Sequence, residues 1–238
     1  MHYIPFLSTL VTFAFAIAVF RRYLVRHGTH LLLWTIGLVW YGLGTLSEVI
    51  LGLTFSGLVL KLWYLCGAML TAAWLGQGTL HLLVRRVRVA GTLTGVLAAV
   101  SVLAAALILL APLTPAAATY RVDQPISSQY QAILTRSGGI IALTIILNIY
   151  GTLTLFGGAI YSAFLFWRKR VLFNRMIGNI LIAAGALAPA IGGSFIRIGL
   201  VDMLYLTELL GVGLMYIGFL QATTAPSPQA GPAPSQGI

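Results

Sequence analysis

Charged residues are scarce in this sequence. Only 8% of its 238 residues are charged and 59% are hydrophobic, whereas a soluble domain carries roughly 25% charged residues. A chain of this composition cannot cover itself with a water-compatible surface, which excludes an ordinary soluble globular domain. The net charge of +10 therefore indicates basic loops held against an anionic lipid bilayer, not a nucleic-acid-binding surface.

Cysteine and lysine are nearly absent. The single cysteine, Cys66, excludes an internal disulfide and a thiolate metal cluster, and we interpret it as a packing residue. The two lysines, Lys61 and Lys169, lie at the ends of apolar segments, so the mid-membrane lysine of a retinal Schiff base is missing. The other twelve of the fourteen basic residues are arginines. This bias is typical of GC-rich bacterial genomes, and we expect a bacterial inner-membrane protein.

Catalytic motifs are missing as well. The sequence shows no activated serine or cysteine nucleophile and no recognisable metal-ligand spacing. Paired carboxylates with an arginine are the one remaining acid–base option. We therefore do not expect an enzyme, and no cofactor or metal site is assigned.

Seven apolar segments are long enough to cross a bilayer, which requires about 20 residues. We name them spans 1 to 7, and they cover approximately Ile4–Phe20, Leu31–Leu53, Leu58–Val84, Ala90–Ala111, Gly139–Trp167, Arg175–Gly199 and Val201–Gln221. The predicted fold class is all-α, a polytopic bundle of seven transmembrane helices within residues 1–221. Span 1 lacks the preceding basic residues and the cleavage site of a signal peptide. Residues 222–238, rich in Pro and Ser, are predicted to be a disordered cytoplasmic tail.

The basic residues predict an orientation. Ten of the fourteen fall in the 1–2, 3–4 and 5–6 loops, and the other side holds only Lys61, Arg121, Arg136 and Arg197. The positive-inside rule places the first group in the cytoplasm, so the amino terminus is outside and the carboxyl terminus inside. The long 4–5 connection, Leu113–Gly138, then lies outside, with a short interfacial helix predicted over Ser127–Thr135.

Similar residues recur about 147 positions apart. Phe20-Arg21-Arg22 corresponds to Trp167-Arg168-Lys169, and Ser47 corresponds to Ser194. This spacing would make spans 1–3 and 5–7 parallel repeats joined by span 4, as in some transporters. Apolar helices also produce such matches by chance, so the repeat is a hypothesis.

Polar residues inside four spans fall at a similar depth. Glu48 lies about 8 Å, Glu208 about 10 Å and Asn148 about 13 Å from the outer surface, at 1.5 Å per residue. Arg197 closes the outer end of span 6, beside Asp202. Such residues are costly in a bilayer and mark functional sites by default. We predict a ligand-binding site formed by Glu48, Asn148, Arg197 and Glu208.

Helical periodicity places both glutamates on small-residue faces. Glu48 shares a face with Gly44 and Gly52, and Glu208 shares a face with Gly211 and Gly218. Small residues line helix–helix contacts in membranes, so both glutamates should point into the bundle. The alternative is a structural ion pair of Arg197 with Glu208 or Asp202 that only joins spans 6 and 7.

Span 6 has its own pattern. Gly178, Gly185, Gly192 and Gly199 recur every seven residues, which predicts a close-packing stripe. Pro189, within the same span, predicts a kink that frees a backbone carbonyl.

Histidines and aromatic residues do not form a recognisable metal or chromophore site. His30 and His81 are predicted near the cytoplasmic ends of adjacent spans, without further ligands. The deep aromatic residues are interpreted as packing: Trp40, Tyr41, Trp74 and Tyr216. The others are interpreted as belts at the membrane interfaces: Trp34, Trp63, Tyr64, Trp167 and Tyr205.

Together these features predict a membrane protein that binds or transports a small molecule or ion at an outward-facing polar site. Protons are candidate ligands too, because a carboxyl group removed from water favours its neutral form. The alternative is an accessory or sensory subunit that docks on a separate membrane partner. An uncovered small-residue stripe on the monomer would favour this alternative.

Overall fold

The structure is a computed structural model that describes residues 3–84, 86–169, 173–196 and 203–223. Seven of its helices are long and apolar enough to cross a membrane, and none of the described residues lies in a β-strand. Spans 1 to 7 cover Tyr3–Arg26, Thr29–Leu51, Gly57–Leu83, Val87–Leu110, Gly138–Lys169, Phe173–Ile196 and Met203–Thr223. The all-α architecture with seven such helices is confirmed. The predicted tail lies almost wholly outside the described residues.

Six of the spans form a closed ring. Spans 1, 2, 3, 5, 6 and 7 each pack against the next in that order, and span 7 returns to span 1. Span 4 lies outside this ring, mainly against span 3, with a smaller contact to span 5. The proposed sequence repeat of spans 1–3 and 5–7 stays a prediction.

The two ends of the bundle differ in composition. One end, which we name the basic end, carries arginines at the helix ends: Arg21, Arg22, Arg26, Arg86, Arg88 and Arg168. The opposite end, which we name the loop end, carries the 4–5 connection. Spans 1, 3, 5 and 7 begin at the loop end, and spans 2, 4 and 6 end there.

The 4–5 connection is folded into a cap. Backbone hydrogen bonds join its two ends, one of them from Thr114 N to Ile133 O at 2.9 Å. Between the ends lie a 3₁₀ turn, Pro115–Thr119, and a short helix, Ile126–Ile133, close to the predicted Ser127–Thr135. Both end residues of this short helix are buried in a core shared with spans 2, 3, 4 and 5. The connection therefore covers part of the loop end.

Span 3 changes helical type in its middle. Tyr64–Leu70 is π-helical, and the segments on both sides are α-helical. A π segment disturbs the regular pairing of backbone groups, and such segments are frequent at functional sites. Here two carbonyls accept side-chain donors instead: Cys66 O accepts from Thr71, and Ala68 O accepts from Asn148.

The glycine stripe of span 6 packs against span 7. A Cβ added at Gly178 would lie 2.5 Å from the carbonyl oxygen of Gly218, and one added at Gly185 would lie 2.5 Å from that of Gly211. Gly192 is similarly crowded by Thr207. The prediction of close packing is confirmed for these three glycines, and Gly199 lies outside the described residues.

Span 6 is helical through Pro189. Proline cannot donate to the carbonyl four residues earlier, which is that of Gly185. This oxygen faces Gly211 of span 7, where an added Cβ would come within 2.8 Å of it. The predicted kink itself stays a prediction.

Candidate functional site

The structure brings together two of the four predicted site residues. Glu48 of span 2 and Glu208 of span 7 lie close enough for their carboxyl groups to interact directly. Glu48 is only 5% exposed, and the Oε2 atom of each glutamate is buried without a hydrogen-bond partner. The prediction that both side chains point into the bundle is confirmed.

Trp63 of span 3 orients the carboxyl group of Glu48. Its indole N–H donates to Oε1 of Glu48 at 2.8 Å. The two spans approach closely because Gly44, one turn before Glu48, lies against Gly67, where an added Cβ would be 2.9 Å from the Gly67 Cα. A hydrogen bond to a charged acceptor is among the stronger ones in proteins. It engages one carboxyl oxygen and leaves Oε2 available.

Two tyrosines enclose the pair. The Tyr41 hydroxyl donates to the backbone oxygen of Glu208 at 2.9 Å and so joins spans 2 and 7. Tyr205, nearly one turn before Glu208, is buried, and its hydroxyl reaches the backbone of Ile126 in the cap. The pair is therefore walled by aromatic side chains on the side of the core and on the side of the cap.

A pocket of about 90 Å³ reaches Glu48 from the loop end. Spans 1, 2 and 7 and the cap line it, through Pro5, Glu48, Val49, Gly52, Leu53, Tyr120, Val122, Asp123, Gln124, Pro125, Ile126 and Tyr205. Leu53, Val122 and Asp123 are exposed, whereas Glu48 is buried. The pocket thus leads from the surface of the cap to one carboxyl group of the pair.

The cap is fastened beside this pocket. The Tyr120 hydroxyl donates to Leu51 O at 2.9 Å, and its ring packs against Phe55 with the centroids 4.8 Å apart. Burial raises the pKa of Tyr120, which keeps this donor protonated. On the rim, Arg121 and Asp123 form an exposed ion pair at 2.9 Å, and the hydrogen bonds that Arg121 donates to Asp123 raise the pKa of Arg121.

The pair lacks a compensating cation among the residues that the structure describes. No lysine or arginine there is paired with either glutamate. Two adjacent carboxyl groups satisfy each other only when one of them holds a proton and donates it to the other, because ionised carboxylates only accept hydrogen bonds. When both are ionised, the site has a surplus of acceptors and of negative charge.

Asn148, a third predicted site residue, is not part of this arrangement. Asn148 donates through Nδ2 to Ala68 O at 2.7 Å and to Thr144 O at 2.8 Å, and it does not line the pocket. Its amide joins span 5 to the π segment of span 3. Arg197, with its candidate partner Asp202, lies outside the described residues. A role for Arg197, as a ligand or in an ion pair, stays a prediction.

Two aromatic residues interpreted as interfacial belts belong to the site. Trp63 and Tyr205 are each 8% exposed, whereas Trp167 is 63% exposed, as an interfacial residue should be. The belt interpretation was wrong for Trp63 and Tyr205, and also for Tyr64, which is 3% exposed, because it rested on distance from the helix end. A position near a helix end does not reveal that a folded connection covers that end.

A second polar cluster lies closer to the basic end and was not predicted. Gln77 is 0% exposed, donates to Thr94 Oγ1 at 2.8 Å and accepts from the Tyr150 hydroxyl. His81 Nε2 lies 2.7 Å from the same threonine oxygen. The cluster joins spans 3, 4 and 5, and these contacts satisfy its polar atoms. Within the described ranges, no group of three or more His, Cys, Asp or Glu side chains could hold a metal ion.

At its inner end the pocket offers a positively charged ligand the carboxyl group of Glu48, and the carboxyl group of Glu208 lies beside it. The rest of the lining is mostly aromatic and aliphatic, with Asp123 and Gln124 on the side of the cap. Compared with protein-family models, curated proteins and solved structures, the chain matches none.

Proposed function

We propose that this chain is an integral membrane protein that binds a small cation at the Glu48–Glu208 pair, as a binding or transport protein. One observation carries the proposal: two adjacent carboxyl groups each keep a buried, unpartnered oxygen, and one group lies at the bottom of a pocket. An uncompensated buried charge costs several kcal/mol. A cation bound between the two groups would offset this cost.

The charge distribution supports an outward-facing site. The basic end carries most of the lysine and arginine residues, and the positive-inside rule assigns such an end to the cytoplasm. The loop end, the cap and the pocket then face the outside. In a bacterium this membrane is the inner membrane.

An apolar layer separates the pair from the basic end. It includes Phe15 of span 1, Leu38 of span 2, and Val212 and Met215 of span 7, all buried in one core cluster. In one state of an alternating-access transporter, the site is open to one side of the membrane and closed to the other by packed side chains. Transport would require the side chains of this apolar layer to move apart, whereas a receptor would only need to bind its ligand.

Thermal unfolding of the purified protein in lipid nanodiscs tests the proposal. Chloride salts of small cations are titrated, with the bulky organic salt N-methyl-D-glucamine chloride holding the ionic strength constant. A ligand that binds only the folded state stabilises it by about 2.7 kcal/mol at a hundred times its Kd, so Tm should rise and then saturate. Glu48→Gln and Glu208→Gln should abolish this rise.

Lys61→Gln provides the matched control. It also changes the charge by one at the loop end, but Lys61 donates to Leu109 O and does not line the pocket. This variant should keep the cation response. The proposal fails if no small cation raises Tm beyond the N-methyl-D-glucamine baseline, or if both glutamine variants respond as the unmodified protein does.

A different observation favours the accessory-subunit alternative. Gly91 and Gly95 of span 4 have nothing within 4 Å of an added Cβ, and Ala99, four residues further on, is also exposed. Small residues at a spacing of four are typical of helix association in membranes. On this reading, Gly91→Leu combined with Gly95→Leu would reduce the size of the complex in native gels of solubilised membranes while leaving Tm unchanged. An unchanged complex size would exclude this stripe as the docking face.

A further inference from the structure

We infer that the cation is an alkali metal ion and that its third protein ligand is the hydroxyl group of Ser8 in span 1. This inference rests on the proposed function and deepens it, because it names the ligand class and one more ligand. Three spans, 1, 2 and 7, would then each supply one oxygen to the same ion.

Ser8 is itself an unexplained buried polar residue. Its side chain is 0% exposed, and its Oγ atom has no hydrogen-bond partner. The threonine hydroxyl groups beside it in span 1 are satisfied: Thr9 donates to Pro5 O, and Thr12 donates to Ser8 O. A buried hydroxyl left without a partner costs about 1–3 kcal/mol. A ligand from outside the protein chain would remove this cost.

The packing of span 1 on span 7 sets Ser8 level with Glu208. Both spans run from the loop end toward the basic end, and Phe15 stacks on Tyr216 with the ring centroids 5.0 Å apart. Toward the loop end, Ser8 is about 10.5 Å from Phe15 and Glu208 is about 12 Å from Tyr216, at 1.5 Å per residue. Ser8 lies two turns from Phe15, so the two residues share the helix face turned toward span 7.

The packing of span 1 on span 2 sets Ser8 near the level of Glu48. The hydroxyl groups of Thr9 and Thr45 are 3.0 Å apart, and these two spans are antiparallel. From that contact toward the loop end, Glu48 is about 4.5 Å higher and Ser8 about 1.5 Å higher. Along the axis of the bundle, the backbone positions of Ser8, Glu48 and Glu208 therefore differ by about one helical turn or less.

The ligand chemistry favours a hard cation. Carboxylate and hydroxyl oxygens suit hard cations, while transition metals are usually held by imidazole or thiolate groups. Among the described residues no His or Cys joins the carboxyl pair in a metal-binding group. Ca²⁺ takes about 6–8 oxygen ligands including waters, so three protein oxygens would leave at least half of its shell to water, and Mg²⁺ gives up its water shell reluctantly.

The pocket has room for an ion that keeps part of its water shell. Its volume of about 90 Å³ is several times the roughly 10–15 Å³ that one water needs by the same measure. The comparison with methylammonium in the test below decides between an ion and an organic ammonium compound.

The test is a comparison of Ser8→Ala with Ser47→Ala in titrations with LiCl, NaCl and KCl. At least one of these salts should raise the Tm of the unmodified protein to a plateau. Ser8→Ala should raise the apparent Kd for that ion by about tenfold, the size expected for loss of one polar contact. Without the ion, Ser8→Ala should be at least as stable as the unmodified protein, because it removes an unsatisfied hydroxyl.

Ser47→Ala is the matched control beside the site. Ser47 is also buried and precedes Glu48, but its hydroxyl donates to Leu43 O at 2.7 Å, so this variant should keep the Kd of the unmodified protein. An unchanged Kd in Ser8→Ala, with the response still lost in Glu48→Gln, would refute the role of Ser8 and retain the carboxyl site. A larger rise with methylammonium chloride or CaCl₂ than with any alkali salt would refute the ligand class alone. If no cation acts, the proposed function fails with it.

Discussion

Trp63 donates its indole N–H to Oε1 of Glu48 at 2.8 Å across the contact between spans 2 and 3. The hydrogen bond holds the carboxyl group in one orientation and leaves its second oxygen buried without a partner. Because Trp63 is itself buried, this orientation does not depend on solvent. The relationship makes Trp63 a positioning residue for the proposed cation site.

Replacing Trp63 with phenylalanine tests that role. Trp63→Phe keeps an aromatic ring but removes the donor, and a hydrogen bond to a charged group contributes about 1.5–3 kcal/mol. The free energy of unfolding should fall by about that amount in denaturant titrations of the detergent-solubilised protein. Trp167→Phe, at a position that is 63% exposed, should change it little. Equal stability of the two variants would mean that the indole N–H does not hold Glu48.

Asn148 should behave as a structural residue. Asn148→Ala removes two hydrogen bonds and leaves Ala68 O in the π segment without its side-chain donor. Stability should fall by about 1–3 kcal/mol, while the Kd of the cation stays unchanged. Thr152→Ala, at an exposed position of the same span, should affect neither quantity. A higher Kd for the cation in Asn148→Ala, without loss of stability, would show that Asn148 belongs to the binding site, as the sequence analysis predicts.

The glycine stripe of span 6 should tolerate no large side chain. Gly185→Leu and Gly192→Leu would overlap span 7, and overpacking typically costs about 1–3 kcal/mol. Both variants should melt at lower temperature than the unmodified protein in detergent. Gly193→Leu is the adjacent control, because nothing lies within 4 Å of a Cβ added there. A similar Tm for Gly192→Leu and Gly193→Leu would contradict the observed packing of spans 6 and 7.

Cysteine labelling of intact cells tests the orientation. In a Cys66→Ser background, Ser128→Cys in the cap should react with a membrane-impermeant maleimide from outside. Ser227→Cys in the tail should react only after lysis. This follows from the excess of basic residues at the opposite end of the bundle. The reverse labelling pattern would place the pocket in the cytoplasm.

The two glutamates show which features of the site can be predicted from the sequence. Their depth and small-residue faces follow from helical periodicity alone, and these features correctly predicted that Glu48 and Glu208 point into the bundle. Asn148 satisfies the same criteria, yet its amide binds a carbonyl of the π segment. Periodicity reports the face of a helix and its depth. It does not report which helix lies opposite.

The position of the cap is a second feature that could not be predicted from the sequence. A short helix near Ser127–Thr135 was predictable from local sequence, but its burial against the ends of spans 2 and 3 was not. That burial turns Trp63 and Tyr205 from presumed interfacial residues into walls of the site. Hydropathy measures the composition of a segment, whereas exposure depends on what the rest of the chain places over it.

The sequence by itself determined the seven apolar helices, because each satisfies its backbone hydrogen bonds locally and its apolar length is a property of one segment. It also determined that two carboxyl groups lie deep in those helices on faces that avoid lipid. Only the tertiary structure decided that Glu48 and Glu208 meet, that Ser8 shares their level and that Asn148 lies elsewhere. These are distances between helices, and they depend on the ring order 1, 2, 3, 5, 6, 7. Close glycine contacts such as Gly44 with Gly67 set how near neighbouring helices come.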